Sequence, residues 1–413
     1  MARICIITPG QLGSNPRTVK EAEALSRVGH EVIVISTRVL AQVEFRDQAV
    51  LVLASFRSLR LPFDRRLGRM LDRLLQILAR GLVGSIRSRI VETLAHNPMT
   101  RRLALSAMRQ PADLYIAHYV AALPAAAYAA SRHGSPYAFD AEDFHLGDLP
   151  EETRNALEKE IIRKIEGRLL PSAAYVTAAS PMIAEAYSDA YAIALPTTVL
   201  NVFPRSNAPS GPTSKGSAAP GPSIYWFSQT IGPGRGLETA VEAIARAQSQ
   251  PHLYLRGMIG QEYEGQLREI AKKNGVADRL HLLDSVAPAN LERLGAMFDV
   301  GLIAEVDLTK NRQIALTNKL FSYVLGGVPC LATDIPSHSR LAKEFGPAMR
   351  LFPVGDADAL AAAIDEFLLA PGRLASARAH AWRLGQDRFN WDHEQAKLLC
   401  CVDAALGAER RFS

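Results

Sequence analysis

Apolar positions in this chain follow two alternating spacings. Short continuous runs, such as Ile4-Cys5-Ile6-Ile7 and Val32-Ile33-Val34-Ile35, are separated by segments in which apolar residues recur every three or four positions. The runs suit strands covered on both faces, and the wider spacing suits helices with one buried face. Read this way, residues 3–8 form a strand, and residues 17–28 form a helix burying Val19, Ala22, Leu25 and Val28. A strand at 31–36 follows. The alternation continues with strands at 113–118, from 137 and at 173–178 and a helix at 151–169. It restarts further on with strands at 223–227, 252–256, 279–283, 300–304 and 328–332. Helices at 238–248, 262–273, 289–294 and from 318 lie between them. Such alternation predicts α/β domains with parallel sheets, and the restart predicts two Rossmann-like, doubly wound domains.

The restart coincides with a change of composition. Residues 206–222 are dominated by Pro, Gly and Ser, which predicts a mobile interdomain linker. It divides a first domain at 1–205 from a second at 223–386, with a last helix at 387–413 opened by Phe389-Asn390-Trp391-Asp392. A length of 413 residues suits two such domains. No apolar run approaches the ~18 residues of a membrane-spanning helix. The N-terminus reads as a first strand and not as a signal peptide. The cysteines, at 5, 330, 400 and 401, lack metal-ligand spacing, and reduced thiols in a cytoplasmic chain are the simplest account.

Charge is unevenly distributed. Residues 57–109 carry twelve arginines, no lysine and three acids, a net +9 within a chain whose total is +5. This basic segment reads as a helical insertion at about 57–110. Leu67, Leu71, Leu74, Leu75, Leu78, Leu82 and Ile86 form a helical stripe, with Arg66, Arg69, Arg73, Arg80 and Arg87 beside it. Two readings stay open: a core helix with a solvated arginine face, or a helix lying on an anionic membrane surface through Arg66, Arg69 and Arg73. A single aromatic residue, Phe63, lies among these arginines and no repeated interleaving accompanies them, which argues against nucleic acid as a partner.

Candidate chemistry sits where strands end, since open α/β sheets bind ligands at their carboxyl edge. The glycine-rich loop at 10–16 follows the first strand, and Gly13 is its best position for close backbone approach. His118 closes one strand, and Glu142 and Asp143 lie in an acidic loop after another, where carboxylates suit acid/base work or hold a hydroxyl. In the second domain the loop at 228–237 holds three glycines and Arg235 before a helix, which suits a pyrophosphate.

One stretch is more specific than these. Asn318-Lys319-Leu320-Phe321-Ser322-Tyr323, an apolar run, Gly327-Val328-Pro329 and Thr333-Asp334 together resemble the donor-site segment of GT-B glycosyltransferases of family 4. Asn15-Pro16-Arg17-Thr18, the strand ending in His118, the Arg235-Gly236 pair and the segment around Trp391 are similar to other segments of that family. The resemblance implies two Rossmann-like domains facing an interdomain crevice. It implies transfer of a sugar from a nucleotide-sugar to a saccharide or lipid-linked acceptor, with retention at the anomeric carbon. No metal or other cofactor is implied, and the setting is surface polysaccharide or glycolipid synthesis at the inner face of the cell membrane. Carried over residue by residue, it makes His118 and Asp143 catalytic. Gly13, Arg235, Gly236, Arg256, Asn318, Lys319, Leu320 and Ser322 become donor-binding, and Arg17 and Glu142 acceptor-side. Lys319 is the expected second cation for the phosphates. Three positions depart from the family: Ser322 and Ile314 stand where it places glutamates for the ribose and the donor sugar, and Gln229 stands where it places an arginine. These departures favour the alternative of a non-catalytic, nucleotide- or partner-binding protein.

Overall fold

The computed structural model describes residues 1–39, 43–62, 66–86, 88–212, 220–306 and 308–409. The chain forms two compact units, Met1–Val199 with Gln395–Ser413, and Leu200–Glu394. Of the predicted linker at 206–222, residues 213–219 lie outside the described residues.

The first unit is built on a sheet of seven strands: β1 (Arg3–Ile7), β2 (Glu31–Arg38), β3 (Arg57–Pro62), β4 (Leu114–His118), β5 (Tyr137–Ala141), β6 (Val176–Ala178) and β7 (Thr197–Thr198). Their order is β3-β2-β1-β4-β5-β6-β7, and every pair is parallel. The second unit repeats the plan with β8 (Ser223–Ile231), β9 (His252–Ile259), β10 (Leu280–Leu283), β11 (Val300–Ile303), β12 (Cys330–Thr333) and β13 (Met349–Phe352). These lie in the order β10-β9-β8-β11-β12-β13, again parallel throughout. Both sheets therefore reverse strand order beside their first strand, at β1/β4 and at β8/β11, and such reversals open a crevice at the carboxyl ends.

Local sequence places the elements that reach these crevices. Asn15 caps the helix Pro16–Arg27 by accepting from Thr18 N, and Pro16 supplies the fixed φ of a first helical turn. In the second unit, the helix Asn318–Leu325 packs through Tyr323 onto Gly301 of β11, where a Cβ would lie 2.5 Å from the tyrosine ring. Tyr323 Oη donates to the Tyr225 and Leu302 carbonyls. Gly327, at φ +70°, takes the left-handed conformation that ends this helix.

The basic segment begins differently from the expected helical insertion. Its first six residues form β3, a parallel edge strand on β2, before the helices Arg66–Leu82, Arg89–His96 and Thr100–Ala107. The alternation Leu59, Leu61 is a strand signal that the surrounding arginines obscured. Of the leucine stripe, no residue whose side chain is described is buried, and Leu75 is half-buried. The helix Arg66–Leu82 turns Asp72 and Ala79 inward, and Arg101 and Arg102 hold the Asp72 carboxylate at 2.8 and 2.5 Å. Met70, Leu74, Ile77 and Leu78 are 68, 54, 67 and 55 % exposed, and Leu71 and Leu82 lie exposed beside them. Arg73 is exposed as well, while the side chains of Arg66, Leu67 and Arg69 lie outside the described residues. Among the described residues no helix is long and apolar enough to cross a membrane.

Candidate functional site

In the first unit, the helix Pro16–Arg27 leaves β1 at the switch point and places Arg17 and Glu21, one turn apart, over the ends of β4 and β5. There His118 and Asp140 stand in register on adjacent strands. Arg17 grips Asp140 with both arms of its fork, Nε to Oδ2 at 2.6 Å and Nη2 to Oδ1 at 2.7 Å, and its Nη1 donates to the Val199 carbonyl. Thr177 Oγ1 gives Asp140 another hydrogen bond. His118 Nε2 lies 2.5 Å from Glu21 Oε2, and its Nδ1 faces Asp140 Oδ2 at 3.3 Å. All four side chains are buried, with His118 0 % exposed.

Two opposed pairs thus neutralise one another inside the unit. Burial alone would raise the Asp140 pKa, but the Arg17 charge and hydrogen bonds overcome it and hold the group at about 2. Burial alone would lower the His118 pKa, yet Glu21, Asp140 and Glu142 outweigh it, so the imidazolium is favoured. As placed, His118 and Arg17 present their polar atoms to other protein groups. The accessible chemistry lies one residue beyond the end of each strand, at Tyr119 and Glu142. Tyr119 adopts φ +67°, a left-handed conformation that a bulky residue rarely takes, and directs its hydroxyl to Glu142 Oε2 at 3.1 Å. Burial raises the Glu142 pKa, with Asp143 and Asp140 adding to it and Arg17 opposing. Glu142 and Asp143 are both half-buried in the loop after β5. Gly13 is close-packed: its N–H donates to Asp47 Oδ1 at 2.7 Å, and a Cβ there would strike the backbone at residues 46 and 47. That backbone belongs to the helix Glu44–Leu53, which the sequence pattern did not reveal.

In the second unit the loop after β8 runs through Gly234 (φ +70°) and Gly236 (φ +64°) into the helix Leu237–Arg246. No side chain caps this helix, so its first N–H groups stay open to an anion. Gly236 touches the chain leaving β11, where a Cβ would sit 2.7 Å from the Ala304 carbonyl oxygen. Arg312 Nη1 donates to the Gly234 carbonyl and braces the loop. Arg235 is half-buried, and among the described residues its guanidinium donates no hydrogen bond.

The remaining donor-side candidates are placed differently. Lys319, one residue into the helix Asn318–Leu325, has Nζ 3.0 Å from Glu305 Oε1, 3.3 Å from Thr317 Oγ1 and 5.5 Å from the Trp226 ring centroid. Its charge is therefore balanced by a carboxylate within this unit. Lys319 holds the Glu305 pKa at about 2 against the effect of burial. His338, buried beside this pair, donates from Nδ1 to the Thr333 carbonyl, and among the described residues its Nε2 has no partner. Burial pushes its pKa down. Arg256 donates from Nε to Tyr225 Oη at 2.9 Å and from Nη1 to the Asp284 carbonyl at 2.7 Å. Leu320 is core. Ser322 is buried too and gives its hydroxyl to Glu292 Oε1 at 2.6 Å. Asn318, half-buried, begins the helix after Thr317. Gln229 lies exposed at an irregularity in the pairing of β8 with β9. Sequence reasoning passed over Glu21, Asp140, Glu305 and His338. The first two carried a signal, an acid four residues from Arg17 on the buried helix face and an acid ending a strand. Among the described residues no group of three or more His, Cys, Asp or Glu is arranged to hold a metal ion.

Comparison with known proteins bears on this arrangement. Residues 13–202 match the glycosyl transferase 4-like domain family, and residues 221–369 match the glycosyl transferases group 1 family. No curated protein matches the sequence. HepE of Anabaena, solved with UDP and glucose, superposes with a TM-score of 0.73 at 16 % identity, over 98 % of this chain and 100 % of that one. A sucrose-phosphate synthase of Thermosynechococcus elongatus gives 0.72 at 14 % identity, over 99 and 100 % of the two chains. TarM of S. aureus, solved with fondaparinux, alpha-GlcNAc-glycerol and UDP, gives 0.68 at 8 % identity, over 97 and 99 %.

Proposed function

Because the chain belongs to the GT-B glycosyltransferases that join a 4-like domain to a group 1 domain, we propose that it transfers a hexose from a uridine diphosphate sugar. The acceptor is a saccharide or lipid-linked hydroxyl, and transfer proceeds with retention and without a metal ion. The observation that carries the reading is Arg235. It stands at the uncapped N-terminus of the helix Leu237–Arg246, beside the β8/β11 switch point, with its hydrogen-bond donors unengaged by the described residues. A guanidinium and open N–H groups suit the charge that grows on the leaving diphosphate as the bond to the sugar breaks. The choice of uridine is supported by the HepE complexes with UDP and UDP-glucose.

Thermal unfolding with UDP-, GDP-, dTDP- and ADP-sugars, in the presence of EDTA, tests this. UDP-sugars should raise the midpoint, and Arg235→Ala should remove the shift, because a ligand stabilises the state it binds. No shift with any nucleotide would favour the non-catalytic reading, for which buried Ser322 and Ile314 are the specific observations. A shift that EDTA abolishes would overturn metal independence.

The same proposal places the enzyme at the cytoplasmic face of an anionic membrane, in surface polysaccharide or glycolipid synthesis. Its support is the outward stripe of Met70, Leu74, Ile77 and Leu78 with exposed Arg73 beside it. A basic amphipathic helix with its apolar face uncovered suits an interface with anionic headgroups. Co-sedimentation with phosphatidylglycerol vesicles should exceed that with phosphatidylcholine vesicles. It should fall several-fold in Leu74→Glu/Leu78→Glu and in Arg73→Glu. Binding indifferent to lipid charge and to all three substitutions would remove the membrane from the proposal.

A further inference from the structure

Glu305 lies two residues beyond the end of β11. Its Oε1 takes the Lys319 ammonium at 3.0 Å. Its Oε2 makes no hydrogen bond among the described residues, and the side chain is 18 % exposed. Lys319 keeps the group ionised. Ala304, its neighbour, touches Gly236, so the loop carrying Arg235 and the loop carrying Glu305 meet over the switch point. The Arg235 charge reaches Glu305, though the two make no hydrogen bond. An ionised carboxylate oxygen is thus left open next to the guanidinium that best suits a phosphate. A second anion cannot satisfy it. A neutral hydrogen-bond donor can, and a sugar hydroxyl is one.

We infer that Glu305 reads the donor sugar, its carboxylate accepting a hydrogen bond from a hexose hydroxyl adjacent to the diphosphate held by Arg235. The inference rests on the donor reading given above. Two further observations direct it to this residue. Ile314 is apolar and buried, and Ser322 is buried with its hydroxyl turned to Glu292, so neither supplies a carboxylate to the crevice. Lys319 fixes the Glu305 side chain and cancels part of its charge, which leaves the phosphate to Arg235.

The test is calorimetric titration of UDP and UDP-glucose into the wild type, Glu305→Gln, and Glu305→Gln/Lys319→Met, where the second variant removes the cation that the first would leave unbalanced. The ratio of UDP-glucose to UDP affinity should fall by roughly 10- to 100-fold in both, the range for a hydrogen bond to a charged group. An unchanged ratio in folded variants would overturn the inference and leave the donor reading standing. Absence of binding of either nucleotide to the wild type would overturn the donor reading, and the inference with it. If both variants fail to fold, UDP-glucose analogues lacking one hydroxyl decide the matter on the wild type. One analogue should lose the same factor, and a series without such a loss would overturn the inference.

Discussion

Arg17→Met should destabilise the first unit by about 3–5 kcal/mol, the usual cost of leaving one partner of a buried ion pair alone. The substitution keeps most of the side-chain volume, so cavity formation contributes little. What it removes is a forked grip at 2.6 and 2.7 Å on a carboxylate that is otherwise left with Thr177 and an imidazole nitrogen 3.3 Å away. Urea unfolding followed by hydrogen exchange in β4 and β5 is the appropriate measurement, since it reports this unit separately, and the midpoint should fall by at least about 1 M. Arg17→Met/Asp140→Asn should recover much of the loss, because the stranded charge is gone. A single variant that loses less than about 1 kcal/mol would show that the pair is solvated.

The same network fixes the sign of the pH dependence. Asp140 has a folded pKa of about 2, below its ordinary 3.8, so its contribution is present above pH 3.8 and is lost as pH falls toward 2. His118 is shifted the other way: its contribution is complete below pH 6.5 and is lost as pH rises through the higher folded value. The wild type should therefore weaken on both sides of a mildly acidic optimum. In Arg17→Met the acid-side slope should flatten, because the depressed carboxyl is no longer held down.

Gly236→Ala should reduce the stability of the second unit by about 2–5 kcal/mol and weaken UDP binding at the same time. The left-handed φ of +64° costs an alanine about 1–2 kcal/mol. A Cβ placed 2.7 Å from the Ala304 carbonyl oxygen and 2.8 Å from its Cβ forces the two loops apart, and overpacking of this kind costs about 1–3 kcal/mol more. The displaced loops are those that carry Arg235 and Glu305, so affinity and stability should fall together. Gly232→Ala is the control, since a Cβ there meets nothing within 4 Å and its φ is not left-handed. Equal behaviour of the two variants in urea and in UDP titration would contradict the account.

The sequence by itself determined the class of fold. Continuous apolar runs such as residues 4–7 can be satisfied only by strands covered on both faces, and the helical spacing between them supplies the cover, so a pair of parallel α/β sheets follows from solvent exclusion. The helix stop at Gly326-Gly327 was legible for the same reason, being a local conformational demand that one or two residues settle. Arg235 before a helix was legible too. Tertiary structure alone decided the partners. Whether Lys319 offers a charge depends on Glu305, fourteen positions away on another element. Whether His118 is accessible depends on Glu21 and Asp140, from a helix and a neighbouring strand. The helix Arg66–Leu82 shows the limit most plainly. Periodicity gives it an apolar face, but it cannot say whether that face meets the core, and here Asp72, held by Arg101 and Arg102, is the group drawn inside. Period is a property of the chain, whereas burial and charge balance belong to the contacts made on folding.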